Sequence, residues 1–423
     1  MKNRRWLVVV LMFFSAMLGY LDRTAIGIAG PMIAEHLSLD AAQMGWVYSA
    51  FFFGYAAFAF IGGRAADRFG PKRMIVGCMV FWSVFCGLTA VASTFAVLVA
   101  VRFLFGVGEG PYLPSQVKLV GRWFPRKEQA TTIGLYGAGE TLGGALAGPL
   151  VAFLTVAVSW QFSFITIGTA GVLLAVVWLL FMTEWPEQSR LIGEEERRFI
   201  VENRSSEVAA QSTSGSFLSH CFSAPILATA LAWFGFGYVI FFFMTWFPSY
   251  LTTTYGLSLK EMGFMTSLPW IFAVVGRVSS GYLSDRIYQR TGDALFARKV
   301  VLCTGLGVAA VCIALAGFAT TIMAVMTLTC ISLMFLWATA NIYWALTLDL
   351  VPQDQVGGVG GFGLFAGGSA GIVAPIITGY LIQWTGIYTS AFVLAGVIAI
   401  IGALAVLVLV RRPPAGKLVV AAA

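Results

Sequence analysis

Charge is scarce in this chain. Of its 423 residues only 11% are Asp, Glu, Lys or Arg, under half the ~25% typical of a soluble protein. So little charge cannot cover a water-soluble surface of this size, which excludes a large soluble enzyme or binding module. Histidine is scarcer still. His36 and His220 both sit near predicted helix ends, which gives no support to a histidine proton relay. The six cysteines, at 78, 86, 221, 303, 312 and 330, lack metal-ligand spacing. Five fall in apolar runs, so they read as small packing residues with no structural disulfide expected. The glycine-rich runs GLYGAGETLGG and GGFGLFAGGSAGI lack the strand–loop–helix setting and the Lys-Ser/Thr end of a phosphate loop. No catalytic triad or metal cluster stands out. The expectation is no cofactor, no metal and no enzyme.

What the chain has is apolar length. It is 59% hydrophobic, with a mean hydropathy of +0.86. A helix needs about 20 apolar residues to cross a bilayer. Such runs lie near 6–34, 43–63, 74–94, 96–118, 130–155, 160–182, 225–250, 262–284, 299–318, 321–347, 357–383 and 388–410. The expected fold is an all-α membrane protein of twelve transmembrane helices. One long polar connection, 183–222, separates the sixth from the seventh. It is too short for the soluble output domain of a membrane sensor.

Basic residues fall on one side of that topology. They are Lys2, Arg4 and Arg5; Arg64, Arg68, Lys72 and Arg73; Arg122, Arg126 and Lys127; Arg190, Arg197, Arg198 and Arg204; Arg286, Arg290, Arg298 and Lys299; and Arg411, Arg412 and Lys417. The opposite side shows only Lys260. By the positive-inside rule both termini are cytoplasmic, and a bacterial inner (cytoplasmic) membrane is the expected location. The formal net charge of +7 reflects this bias and implies no nucleic-acid partner. The first apolar run resembles a signal peptide, but Asp22–Arg23 within it and the eleven later spans favour a retained helix. The sequon Asn203–Arg204–Ser205 then faces the cytoplasm and stays unmodified.

The chain also repeats itself. GRAADRFGPKR precedes the third span and GYLSDRIYQR the ninth, with Asp67 and Asp285 218 residues apart. Pro125 and Pro352 stand 227 apart, and Pro149 and Pro375 226. Two pseudo-symmetric halves of six helices follow: 1–182, the cytoplasmic linker 183–222, and 223–423 with a short tail. Parallel halves with the binding site at their interface are a transporter plan.

At GRAADRFGPKR the chain resembles the major facilitator superfamily, whose cytoplasmic signature is G-x-x-x-D-R-x-G-x-K/R-R. The half-match GYLSDR stands where a second copy belongs. That resemblance implies gating roles for Asp67, Arg68 and Arg73, and for Asp285 and Arg286 in the second copy. YLDRTAIGIAGPMI, RFLFGVGEGPYLPS, RWFPRKEQA and FMTWFPSYL narrow the resemblance to the anion:cation symporter family. It includes bacterial sugar-acid carriers and the vesicular sialic-acid and glutamate carriers of animals. Its members move small organic anions with protons or sodium, and a monomer is the family expectation.

Charges inside the spans carry the functional reading. A charged side chain at the bilayer centre costs roughly 3 kcal/mol on insertion scales. The first half nevertheless buries Asp22, Arg23, Arg102, Glu109 and Glu140, three acids against two bases. Arg102 and Glu109 are seven residues apart, about two helical turns, and share a face. A surplus carboxylate is what a proton carrier requires. The resemblance implies that Asp22 and Glu109 take coupling protons, that Arg23 and Tyr20 contact the substrate carboxylate, and that Arg102 pairs with an acid. Glu140 stands where the family pattern leads us to expect a neutral amide. It reads as a third proton site, a salt-bridge partner or a contact to an amino group on the substrate. Tyr238, Trp246, Asn341, Tyr343 and Trp344 are candidate pocket walls. Trp233, Ala345 and Leu364 replace polar side chains of the sugar-acid pattern, which predicts small or aromatic monocarboxylates over polyhydroxylated acids. The function expected is import of an organic carboxylate coupled to protons by alternating access, with sodium open as co-ion. Proton-coupled efflux and passive facilitation on the same fold are the competing readings.

Overall fold

The computed structural model describes residues 4–190, 192–203, 217–351 and 355–411. Lys2, Arg204, Arg412 and Lys417 of the basic side, Ser205 of the sequon and Pro352 of the repeat lie outside them.

The described residues are helical with short joints. The first half runs α1 (Trp6–Leu37), α2 (Ala41–Phe69), α3 (Pro71–Leu88), α4 (Phe95–Glu109), α5 (Tyr112–Trp123), α6 (Arg126–Ala157) and α7 (Trp160–Phe181). Two short helices follow, α8 (Glu194–Asn203) and α9 (Phe217–Cys221). The second half runs α10 (Ala224–Tyr255), α11 (Leu259–Thr291), α12 (Ala294–Ala316), α13 (Ile322–Trp337), α14 (Ile342–Leu350), α15 (Val356–Thr385) and α16 (Thr389–Leu409). Eleven stretches are long and apolar enough to cross a membrane among these residues, with α4–α5 and α13–α14 each counted as one. The 29-residue α2 occupies the place of the second expected span.

Local chemistry sets the helix ends. Asp40 starts α2 through a reciprocal capping box: its carboxylate accepts from the Gln43 N–H at 2.8 Å, and the Gln43 side chain accepts from the Asp40 N–H at 2.9 Å. Thr94, Ser159, Asp293 and Thr321 cap α4, α7, α12 and α13 in the simpler way.

Two spans are broken in the middle, at matching places in the two halves. Between α4 and α5 the break is Gly110–Pro111, where proline lacks the N–H that would close the next helical hydrogen bond. Between α13 and α14 there is no proline. There the chain tightens, with the Thr339 and Ala340 N–H groups donating to Leu336 O and Trp337 O at 3.0 and 3.2 Å, the i−3 pattern of a 3₁₀ turn.

The chain falls into two compact units. The first comprises Met1–Ala209, Phe241–Val274 and Gly371–Ala391; the second comprises Ala210–Ile240, Val275–Ala370 and Phe392–Ala423. Inside the first unit, segments of α10, α11 and α15 pack on α1, α2 and α6 at the end away from the basic loops. Ser49 Oγ donates to Ile372 O at 2.7 Å and Ser267 Oγ to Ala145 O at 2.6 Å, while Trp246 Nε1 ties α10 to α15 through Pro375 O at 3.1 Å. Each bond ties a buried polar group of one span to a backbone carbonyl of another, so the contact is specific as well as apolar.

Candidate functional site

The first unit gathers the charges that stand out in the sequence. Asp22 and Arg23 sit in mid-α1, Arg102 and Glu109 on α4, and Glu109 is the last residue before the Gly110–Pro111 break. Asp22, Arg102 and Glu109 are 1%, 2% and 4% exposed. The Arg23 guanidinium makes an ion pair with Glu109 Oε1, while Glu109 Oε2 has no hydrogen-bond partner among the described residues. Both carboxylate oxygens of Asp22 and the Nε of Arg102 are also without one. Asp22 lies within electrostatic reach of Arg102, Glu109 and Arg23, and beside the buried indole of Trp82. Arg102 thus faces an acid without a direct ion pair, and the direct pair on Glu109 belongs to Arg23.

The guanidinium groups are held by rings of which the sequence marks only Tyr20. Arg23 lies over Tyr20, Phe51 and Tyr55 at 4.9, 5.1 and 4.9 Å from the ring centroids. Arg102 lies over Phe51 and Phe105 at 5.3 and 4.8 Å. Phe51 therefore serves both arginines. A desolvated cation over a ring gains about 2 kcal/mol, which offsets part of the cost of holding two like charges near one another. The geometry rests on close helix packing: a Cβ at Gly106 or Gly110 would strike the α2 backbone at Phe51 or Tyr55, so glycine there lets α4 carry Arg102 and Glu109 up to the α2 rings. In the sequence, FFFGYAAFAF is an apolar run with no charge to single out any member, which is why Phe51 and Tyr55 escape notice. Tyr20 also meets the Trp270 ring edge-on at 6.2 Å. Glu140, on α6, lies within electrostatic reach of Glu109, Tyr55 and Tyr112.

The second unit holds the other candidates in a different setting. Trp233 stacks on Tyr343 at 5.0 Å and meets Trp344 edge-on at 5.7 Å. Tyr343 is fully buried, and its hydroxyl donates to Ala232 O at 3.2 Å and accepts from Thr339 at 3.3 Å. Trp233 fills the space over Gly363 and Gly367. Trp233 and Tyr343 are therefore packing residues of this unit, while Trp344 is 38% exposed. Tyr238 is also buried. Asn341 stands at the α13–α14 break, where its amide donates to Arg277 O at 3.3 Å and Ser280 Oγ at 3.4 Å. Arg277, inside the eighth span and 5.2 Å from the Trp337 ring, is missing from the expected list. The rule that found Arg23, a charge within an apolar run, finds it too.

The basic-loop ends are wired unequally. Asp67 pairs with Lys118 of α5. Glu184, just past α7, accepts from the Lys72 and Arg73 N–H groups at 3.2 and 3.0 Å and pairs with Arg122 at 3.3 Å. It thus caps α3 at its positive dipole end. The Arg73 side chain is exposed, and Arg68 lies over Phe69. In the second unit Arg286 donates to Tyr282 of its own helix at 3.1 Å, and among the described residues Asp285 makes no ion pair. Arg5, buried near the start of α1, pairs with Glu128 at 2.8 Å and Glu196 of α8 at 2.9 Å. These acids hold its guanidinium above its usual range.

No group of three or more His, Cys, Asp or Glu among the described residues is arranged to hold a metal ion. The site is a cluster of acids and arginines at membrane depth beside a broken helix, an arrangement suited to binding an anion and exchanging protons.

The sequence profile of the Major Facilitator Superfamily matches residues 12–375. A hexuronate transporter of Bacillus subtilis is 41% identical over 415 residues, covering 97% of this chain and 95% of that protein. A probable galactarate/D-glucarate transporter of the same organism is 30% identical over 422 residues, covering 96% and 92%. Among solved structures, a bacterial homologue of the human lysosomal transporter Spinster, inward-facing and unoccupied, superposes with a TM-score of 0.79 at 18% identity, over 98% of this chain and 100% of that one. With its broken spans, its repeated basic-loop motif and the profile match across both halves, the chain belongs to the Major Facilitator Superfamily of membrane transporters.

Proposed function

We propose that this protein imports a sugar-derived carboxylate across the bacterial cytoplasmic membrane, coupled to protons, by alternating access with both termini in the cytoplasm. The observation that carries the reading is the buried Arg23–Glu109 pair with its second carboxylate oxygen unpartnered. Arg23 holds either Glu109 or the carboxylate of a substrate. A proton on Glu109 cancels its charge and releases the guanidinium, so substrate and proton bind together. Asp22, equally buried and facing Arg102, is the second proton site. Guanidinium suits this exchange because it grips carboxylates bidentately and stays charged at membrane depth.

The sugar-acid class is supported by the named relatives. It replaces the expectation of small or aromatic acids, whose premise was an apolar pocket wall. Trp233 is stacked into the packing of its own unit, and so is weak evidence about the pocket. The bonds from Ser49 to α15 and from Ser267 to α6, at the end away from the basic loops, support an inward-facing state. The test is uptake of labelled D-glucuronate into proteoliposomes under an imposed pH gradient. Accumulation that follows the gradient is expected. Uptake indifferent to it would replace symport with passive facilitation.

A further inference from the structure

Glu140 is the acid that the exchange on Arg23 leaves unused. It lies on α6 one turn before Gly144, and residues four apart share a helix face. Gly144 packs against the Trp270 indole. Trp270 in turn meets Tyr20, whose ring carries the Arg23 guanidinium. Glu140 is half-buried and within electrostatic reach of Glu109 and Tyr55. It therefore belongs to the same charged cluster as Arg23, reached from another helix.

Charge counting gives it a role. When Asp22 and Glu109 carry the coupling protons, the cluster keeps two positive charges, on Arg23 and Arg102, and one negative charge, on Glu140. A substrate with one carboxylate brings the loaded site to neutrality. A substrate with two leaves it one charge negative. An uncompensated charge is costly in a low-dielectric site, where fixed charges act at a strength that water would screen away. Glu140 is also an acceptor only, when ionised, so it takes hydroxyl donors and repels a second carboxylate. We infer that Glu140 is the charge filter of this site, admitting sugar monocarboxylates and excluding the matching dicarboxylates. This inference rests on the sugar-acid reading above.

D-Glucuronate and D-glucarate test it, because they share a carbon skeleton and differ at C1, an aldehyde or hemiacetal in one and a second carboxylate in the other. Binding to the purified full chain in detergent is read from thermal stabilisation over a ligand titration at fixed pH. In the native protein, glucuronate is expected to bind at least tenfold more tightly than glucarate. Glu140→Gln should shrink that ratio at least tenfold, and Glu140→Asp, which keeps the charge, should preserve it. Native protein that binds both acids equally overturns the filter, even should the Gln variant fail to fold. So does an unchanged ratio in Glu140→Gln. Stabilisation by neither acid overturns the sugar-acid reading itself, and with it this inference.

Discussion

The two broken spans invite comparison. Both interrupt a helix midway, at matching points of an internal repeat. The α4–α5 break is flanked by Glu109, in ion contact with Arg23. The α13–α14 break is flanked by Asn341, a neutral amide bonded to a carbonyl and a hydroxyl of α11. Around the first break stand three acids and two arginines; around the second stand stacked aromatic rings and Arg277, itself beside Trp337. A duplicated scaffold has thus kept its geometry and divided its chemistry. On the proposed reading, proton-dependent work falls to the half that holds Asp22, Glu109 and Glu140, and the half with the stacked rings supplies shape. The cost of buried charge explains the economy: an ion at membrane depth needs a partner, and a second such cluster would double that requirement without adding a substrate contact.

The comparison breaks most visibly at Glu109. Glu109→Gln keeps the shape of the side chain and removes the titratable group. Gradient-driven accumulation should fall to the equilibrium level, a loss of about tenfold for each pH unit imposed per coupled proton. Exchange of substrate across the membrane should survive. Undiminished accumulation in proteoliposomes would move coupling off Glu109, with Asp22 the first alternative.

Arg23→Lys sharpens the same contrast. The charge remains, but the planar fork and its fit over Tyr20, Phe51 and Tyr55 do not. Losing roughly 2 kcal/mol of cation–ring and bidentate interaction weakens binding by about thirtyfold, measured by thermal shift with glucuronate. Normal affinity would place the anion on Arg102 instead.

How far the sequence anticipated this division depends on the kind of signal. Asp22, Arg23, Arg102 and Glu109 were visible because charge within an apolar run is costly, and seven-residue spacing put the last two on one face. The partners of those charges were not. Which acid pairs with Arg23 depends on how α1 lies against α4, and Phe51 is indistinguishable from its apolar neighbours until α2 and α4 are docked. Trp233 reads in the sequence only as a replaced polar side chain, and its stacking on Tyr343 is visible only once α10 and α14 are packed together. Glu184 sat in a polar connection where nothing marked it as the cap of α3. The twelve-span plan was the easiest part, because each span must satisfy its own backbone in lipid and so writes its length in the sequence.

Asn341→Ala probes the neutral half. Its two bonds are long, at 3.3 and 3.4 Å, so their loss costs about 0.5–1.5 kcal/mol of stability, read as a fall of a few degrees at most in the melting temperature. The ratio of uptake with and without a pH gradient should not move. A changed ratio would mean that the second break shares in coupling, and the division of labour between the units would fail.

The smallest effect belongs to the repeated loop motif. Asp67 pairs with Lys118, whereas Asp285 makes no ion pair among the described residues. Asp67 is the more informative of the two, yet its side chain is 68% exposed. In that setting water screens the attraction, and holding the lysine in place costs side-chain entropy. Exposed pairs contribute about 0.2–1 kcal/mol, which corresponds to a shift of a few degrees at most in the melting temperature of a chain this long. Asp67→Asn should therefore lower the melting temperature of the purified protein slightly and more so at low salt, where screening is weakest. Asp285→Asn should leave it unchanged at either salt concentration. A larger, salt-sensitive loss at Asp285 would show that the second copy forms its ion pair in another conformation of the transporter. The unequal wiring seen here would then be a property of one state, not of the two repeats.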